Sequence, residues 1–190
     1  MKIPVVGFDP SMLHWGIAEA VLDLSTGILG DPHLSIVEPD RLKGKQVRKN
    51  SMDLHEAKQL AEAVFAVARG AKAIFVEVPV GSQSAAAMKA YGICVGILGT
   101  MLASDIQLIE VTASEVKVAL TGNKNATKPQ MIAGAVQLYP DSNFPRYTKN
   151  GKTFKKGDIM DKAEHVADAI GAIHAGVNTP LFQSLMRLYV

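Results

Sequence analysis

Ile3-Pro4-Val5-Val6-Gly7-Phe8-Asp9-Pro10-Ser11 opens the chain as a short apolar run that ends on an acid and a turn. Two more runs follow it, roughly Gly16 to Leu24 and Leu34 to Glu38, separated by Gly, Pro, Ser and Asp. Apolar or alternating runs of this length with such breakers between them are the pattern of successive antiparallel strands. From Asp53 the period changes. Leu54, Ala57, Leu60, Ala61, Val64, Phe65 and Ala68 recur at intervals of three and four, which predicts an amphipathic helix. Ala73 to Val78 then predicts a strand, Ser84 to Ala103 a helix, and Ile106 to Val111 another strand. Helices are predicted over Ser114 to Leu120, stopped by Gly122, and from the Thr127 and Pro129 start signal to about Leu138. Pro140 to Gly157 reads as a loop and Ile159 to Ala175 as a last helix. A meander followed by strand and helix in alternation implies an α/β fold, a mixed five-stranded sheet with its first three strands antiparallel and helices on both faces.

The composition bounds the rest. At 190 residues with 48% hydrophobic and 20% charged residues, one domain with one sizeable core is expected. The single cysteine, Cys94, provides no disulfide framework and no cysteine zinc knuckle, which suits a reducing compartment. Ile3 to Phe8 is too short for the apolar core of a signal peptide, so a cytoplasmic location is expected. Ala90 to Ala103 is charge-free but short of the ~20 residues that cross a bilayer, and reads as a buried helix with no membrane partner. The net charge of +2 is unevenly spread. Lys117 to Lys156 holds eight basic residues against Asp141 alone, a local +7 that leaves −5 elsewhere. Such a stretch is either a polyanion-binding face or a solvated lysine-rich loop.

Three acids sit awkwardly in apolar surroundings. Asp9 closes the first strand, where Asp-Pro-Ser is also ordinary turn chemistry. Glu77 lies inside Ala-Ile-Phe-Val-Glu-Val-Pro-Val, where an unpaired charge would be costly. Asp168 interrupts Val-Ala-Asp-Ala-Ile-Gly-Ala-Ile in the last helix, with His165 three residues before it and Glu164 four. A polar helix edge would account for Asp161, Glu164 and His165 alone. Convergence of the acids on divalent metal accounts for all three positions together. One or two Mg²⁺ ions held by carboxylates could orient water and stabilise a leaving oxygen in phosphodiester hydrolysis, with two ions ~3.5 to 4 Å apart.

The order and spacing of four segments resemble the RuvC family of Holliday-junction resolvases, within the RNase H-like superfamily, over about residues 2–176. They are Val-Val-Gly-Phe-Asp-Pro-Ser at 5–11 with Gly16 beyond it, Ile-Phe-Val-Glu-Val at 74–78, Glu-Val-Lys-Val-Ala-Leu-Thr-Gly at 115–122 with Ala-Thr-Lys-Pro-Gln-Met at 126–131, and His-Val-Ala-Asp-Ala-Ile-Gly-Ala-Ile at 165–173. The resemblance implies a single nuclease domain over 1–190, with 177–190 as a C-terminal extension. It implies an endonuclease that cuts four-way DNA junctions through two metal ions, Mg²⁺ with Mn²⁺ able to substitute, and no small-molecule cofactor. Asp9, Glu77, His165 and Asp168 are then the catalytic and metal-binding residues, with Asp161 and Glu164 as rival ligands. Lys117 and Lys128 are implied to hold the scissile strand, and the basic stretch adds Lys149, Lys152, Lys155 and Lys156 as DNA contacts. A two-fold homodimer is also implied, with Gly92, Gly96 and Gly99 near one face of the Ser84 to Ala103 helix. Their spacing fits packing against the sheet equally well.

Two features depart from the family. An aromatic residue often stands three positions after the catalytic glutamate, where this chain has Val80, so Tyr91 or another group must serve there. The Pro140 to Gly157 segment is longer and more basic than usual, and viral or phage origin suits such drift. A broader branched-DNA nuclease, an RNA/DNA-hybrid nuclease and a non-catalytic branched-DNA-binding protein stay open beside the resolvase reading. Actin-like kinases share the topology but need a second half for which 190 residues leave no room.

Overall fold

The computed structural model describes residues 1–42, 44 and 47–187. β1 (Lys2–Asp9) and β2 (Trp15–Asp23) pair antiparallel, with Lys2 opposite Asp23 and Asp9 opposite Gly16. The far edge of β2 is shared by β3 (Ile28–Leu29), beside Leu22 and Asp23, and β4 (His33–Val37), beside Trp15 to Glu19. α1 (Lys49–Ala68) then crosses to β5 (Ala73–Glu77), which lies parallel to β1. α2 (Ala85–Ala103) crosses to β6 (Ile109–Val111), parallel to β5. α3 (Ala113–Thr121), α4 (Lys128–Leu138), α5 (Ala163–Gly176) and α6 (Pro180–Met186) follow.

The sheet is mixed, as expected, but has six strands rather than five. The additional β3 is two residues long, too short to carry a period. A turn makes it: the Gly27 N–H donates to the Asp23 carbonyl at 2.8 Å, and Gly27 takes φ +71°, so the chain folds back on the end of β2. α1 begins four residues before Asp53, through Lys49, Asn50, Ser51 and Met52, which lie outside the apolar period. The last helix begins later than its apolar pattern, because Ile159 is drawn into an antiparallel bridge with Arg146. Within the 177–190 extension α6 places Phe182 edge-on to Phe75, ring centroids 5.2 Å apart; residues 188–190 lie outside the described residues.

Strand alternation divides the core in two. Ile3 and Val5 of β1, with Ala73 and Phe75 of β5, face α3, α4, α5 and α6. Val6 and Phe8, with Ile74 and Val76, face α1 and α2. The α2 helix corrects the expectation of a buried segment. It buries Cys94, Ile97, Leu98 and Met101 but exposes Met88, Gly92, Val95, Gly96, Gly99 and Leu102. Among the described residues it is the one helix long and apolar enough to cross a membrane by length and composition, and 22% of its apolar window is buried. A count of uncharged residues registers apolarity all round and cannot tell which face finds a partner.

α5 lies unusually close to the sheet, and two glycines permit it. A Cβ on Gly7 would fall on the Ala169 carbonyl, and one on Gly16 would fall on the carbonyl of His165. Both clashes are with helix backbone, which cannot swing aside. Gly7→Ala and Gly16→Ala are each expected to lower stability by about 1–3 kcal/mol in urea unfolding followed by far-UV circular dichroism. Unchanged midpoints would show that α5 does not rest on these strands.

Candidate active site

The same alternation that builds the core aims two acids at α5. Asp9 is the next residue after Val5 and Gly7 on that face of β1, and Glu77 the next after Ala73 and Phe75 on β5. Phe8 is in register with Val76, so one further step sets Asp9 beside Glu77 on strands ~4.8 Å apart. α5 passes over this strand end and contributes Glu164, His165 and Asp168. Lys128 arrives from α4, whose start is fixed by the Thr127 N–H donating to Gln130 Oε1 at 2.9 Å. These side chains, with Pro10, Ser11, Pro79, Val80, Gly81 and Tyr91, line a cleft of about 270 Å³.

Four carboxyl groups share that cleft, and their charges conflict. Burial, reinforced by repulsion from Asp9, pushes Glu77 up to about 7, while Lys117 pulls it back. Asp168 is pushed up to about 8 by burial and then by Asp9, Glu77 and Glu164. Asp9 is also raised by burial, against the opposing pull of His165, whose Nδ1 lies in hydrogen-bond contact with Asp9 Oδ2 at 2.7 Å. Burial alone would lower His165, but the bond and charge of Asp9 raise it above its ordinary value. The Lys128 ammonium donates to Glu164 Oε1 at 2.7 Å and is otherwise exposed, with 77% of its side chain accessible.

Comparison with solved structures gives matches over nearly the whole chain, two of which are RuvC structures. Thermus thermophilus RuvC in complex with a Holliday junction substrate aligns with a TM-score of 0.62 and 18% identity, covering 97% of this chain and 96% of that one. The chain has the fold of RuvC. A second Thermus thermophilus RuvC structure aligns with a TM-score of 0.55 and 17% identity, covering 98% and 97%. No protein-family model matches the sequence, and no curated protein matches it. At this identity the likeness to RuvC is one of fold.

On that RuvC fold the four expected site residues, Asp9, Glu77, His165 and Asp168, come together in the cleft. Of the two rivals Glu164 lines it, whereas Asp161 is exposed and offers its carbonyl to the Glu164 N–H. Tyr91 is on the cleft wall beside Val80, which is 89% exposed. Lys117 acts on Glu77 from α3. Lys149, Lys152, Lys155 and Lys156 are exposed and do not line the cleft. Three residues were missed by the sequence reading. His14 stacks on His165, centroids 5.3 Å apart and 12° between planes, and its Nε2 lies 3.3 Å from Glu38. Glu38 in turn accepts from the Lys162 ammonium at 2.7 Å. His14 follows the Asp-Pro-Ser turn and Glu38 ends a predicted strand, but nothing in their spacing from residue 165 marks them.

The cleft's donors suit a hard divalent cation: carboxylate oxygens and an imidazole, with three carboxyls raised by burial that a positive charge would relieve. Among the described residues no group of three or more His, Cys, Asp or Glu side chains forms a closed metal cluster. Carboxylates that repel one another do not close up by themselves, and Asp9 is turned to His165. The Asp9 to His165 contact has a direct readout. The His165 ring should titrate above ~6.5 by NMR in the metal-free protein, and lower than in the parent in Asp9→Asn, where the bond and charge of Asp9 are lost while Glu164, Asp168 and burial remain. A parent ring titrating at or below that value would show the pair absent.

Proposed function

We propose that this protein is a structure-selective, metal-dependent DNA endonuclease of the cytoplasm that cleaves four-way junctions. One observation carries the reading: acids from β1, β5 and α5 meet, with an imidazole, in a single cleft bordered by Lys128 and approached by Lys117. The solved RuvC complex with a Holliday junction, which shares the fold, supports the choice of substrate.

In this reading Asp9, Glu77, Asp168 and His165 hold one or two Mg²⁺ ions, with Mn²⁺ able to substitute and favoured by the imidazole. Bound there, the metal supplies an acidified water and neutralises charge on the phosphate and leaving oxygen. The chain's own groups do the rest. Asp9 Oδ2 orients the His165 ring through Nδ1, which turns Nε2 toward Glu164 Oε1, 3.6 Å away, and leaves the other Asp9 oxygen for a metal. Lys128 is tied to Glu164 at one oxygen but exposed, so a scissile phosphate can compete for its ammonium. Lys117 adds positive charge on the Glu77 side. Pro79 and Val80 give one flank of the cleft an apolar surface.

The exposed apolar face of α2 fits the second half of the reading, a two-fold homodimer. Cβ atoms on Gly92, Gly96 or Gly99 would meet nothing within 4 Å, so these glycines are not needed for packing inside the chain. Met88, Val95 and Leu102 flank them in the open. Close backbone approach to a second copy would cover this surface and present two clefts to opposite strands of a junction.

Asp9→Asn, Glu77→Gln and Asp168→Asn should each slow cleavage of a labelled four-way junction by at least ~100-fold while leaving junction binding intact. An Asp9→Asn protein that cuts at the parental rate would sink the nuclease reading. Because burial and neighbouring acids push Glu77 up to about 7 and Asp168 up to about 8, a metal bound there would compete with their protons. Millimolar Mn²⁺ should therefore raise Tm more at pH 8 than at pH 6, and not in Asp168→Asn. Sedimentation should show a dimer at micromolar concentration and a monomer for Val95→Glu; a monomeric parent, with junction present, would remove the dimer.

A further inference from the structure

The Pro140 to Gly157 segment, read from sequence as a loop, is closed into a hairpin at its second half. Arg146 and Ile159 form an antiparallel bridge. The Tyr147 N–H donates to the Asp158 carbonyl, the Gly157 N–H to the Tyr147 carbonyl and the Met160 N–H to the Pro145 carbonyl, each at 2.9 Å. Nearer the tip the Gly151 N–H donates to the Phe154 carbonyl at 2.9 Å, and the Lys156 N–H to Asn150 Oδ1 at 2.8 Å. Tyr147 and Phe154 stack across the hairpin, centroids 3.5 Å apart and 8° between planes. A Cβ on Gly151 would fall on the Phe154 ring, so the tip closes this tightly only with glycine there.

The charge on this hairpin has no use within the chain. Residues 145–160 hold Arg146, Lys149, Lys152, Lys155 and Lys156 against Asp158 alone, a net +4. Asp158 Oδ2 accepts the Lys155 backbone N–H at 2.7 Å, and Arg146 donates to the Gly157 carbonyl at 2.9 Å. None of the ion pairs among the described residues involves any of the four lysines. Four like charges on one small exposed element make a local positive potential, screened by salt, that attracts a polyanion. A floppy lysine-rich loop would spread them; this one is held.

We infer that the 145–160 hairpin is a preformed prong that grips the phosphate backbone of a duplex DNA arm beside the cleft, separately from the strand that is cut. The partner rests on the nuclease reading; the binding surface does not. The hairpin's base runs within five residues into Glu164 and His165 of the cleft. From Arg146 to Lys152 the chain can extend no more than ~20 to 22 Å, so the lysines stay within about that distance of the hairpin's base. Lysine is a flexible point charge suited to phosphates without regard to base sequence. Backbone closure and the aromatic stack mean that little order must be acquired on binding.

The test replaces Lys149, Lys152, Lys155 and Lys156 together by Gln, which removes charge but no bond that closes the hairpin, and in a second protein by Arg. Fluorescence anisotropy then measures binding of a labelled four-way junction in EDTA over a salt series, with circular dichroism as the check on folding. The Gln protein should bind at least tenfold more weakly at 150 mM salt, and its slope of log affinity on log salt should fall by about 2 to 4. The Arg protein should keep both. Lys72→Gln, at the opposite end of β5 from Glu77, should change neither. Unchanged affinity and slope in the Gln protein would overturn the inference, as would tighter parental binding of duplex RNA than of junction DNA. A parent that binds junctions but never cuts them with Mg²⁺ or Mn²⁺ removes the nuclease reading and leaves this one standing. A parent that cuts, beside a Gln protein of unaltered slope, does the reverse.

Discussion

Backbone contact between α5 and the first hairpin is the constraint on which the candidate site depends. Gly7 and Gly16 let the helix settle against β1 and β2 at the carbonyls of Ala169 and His165, and Gly176 meets the Phe75 ring in the same way further along. With the helix at that height, His165 reaches Asp9 at 2.7 Å and Asp168 overlooks both strand acids. A helix held one methyl group further out would keep its apolar packing and lose that contact. The precision of the site is therefore set by small residues that carry no chemistry themselves.

The cleft is electrostatically strained by the same closeness. Asp9, Glu77 and Asp168 are each raised above the ordinary carboxylate range by burial, and each of the three is also near another acid. An apolar strand end would be more stable than a buried carboxylate, so these acids lower the stability of the fold they sit in. Buried charge at one place, with local rules kept elsewhere, is the pattern expected of a functional or strained site. The basic groups are placed differently: His165 is bonded to Asp9, Lys128 is exposed at the rim and bonded to Glu164, and the hairpin lysines do not line the cleft. The acids and the outlying lysines thus sit on different elements, so the basic surface can change without moving the acids.

Much of this was legible in the residues. The meander, both crossovers, the Gly122 stop at φ +72° and the Thr127 start of α4 follow from period and capping, which are local properties. Asp9, Glu77 and Asp168 stood out because each breaks an apolar pattern, and that breach is visible in one dimension. β3 was not visible, since two residues have no period. The hairpin at 145–160 was read as loop because its aromatic pair lies seven residues apart and its bridge joins residues thirteen apart.

The sequence by itself determined which residues are apolar, where turns and helix ends fall, and which acids are out of place, because those follow from neighbours along the chain. Only the tertiary structure decided that the strand register sets Asp9 beside Glu77, that His14 stacks on His165 through the chain from Lys162 to Glu38, and that α2 keeps an apolar face uncovered. Each of these depends on residues far apart in sequence being brought within a few ångströms. That distance is set by how whole elements pack, which no local pattern encodes.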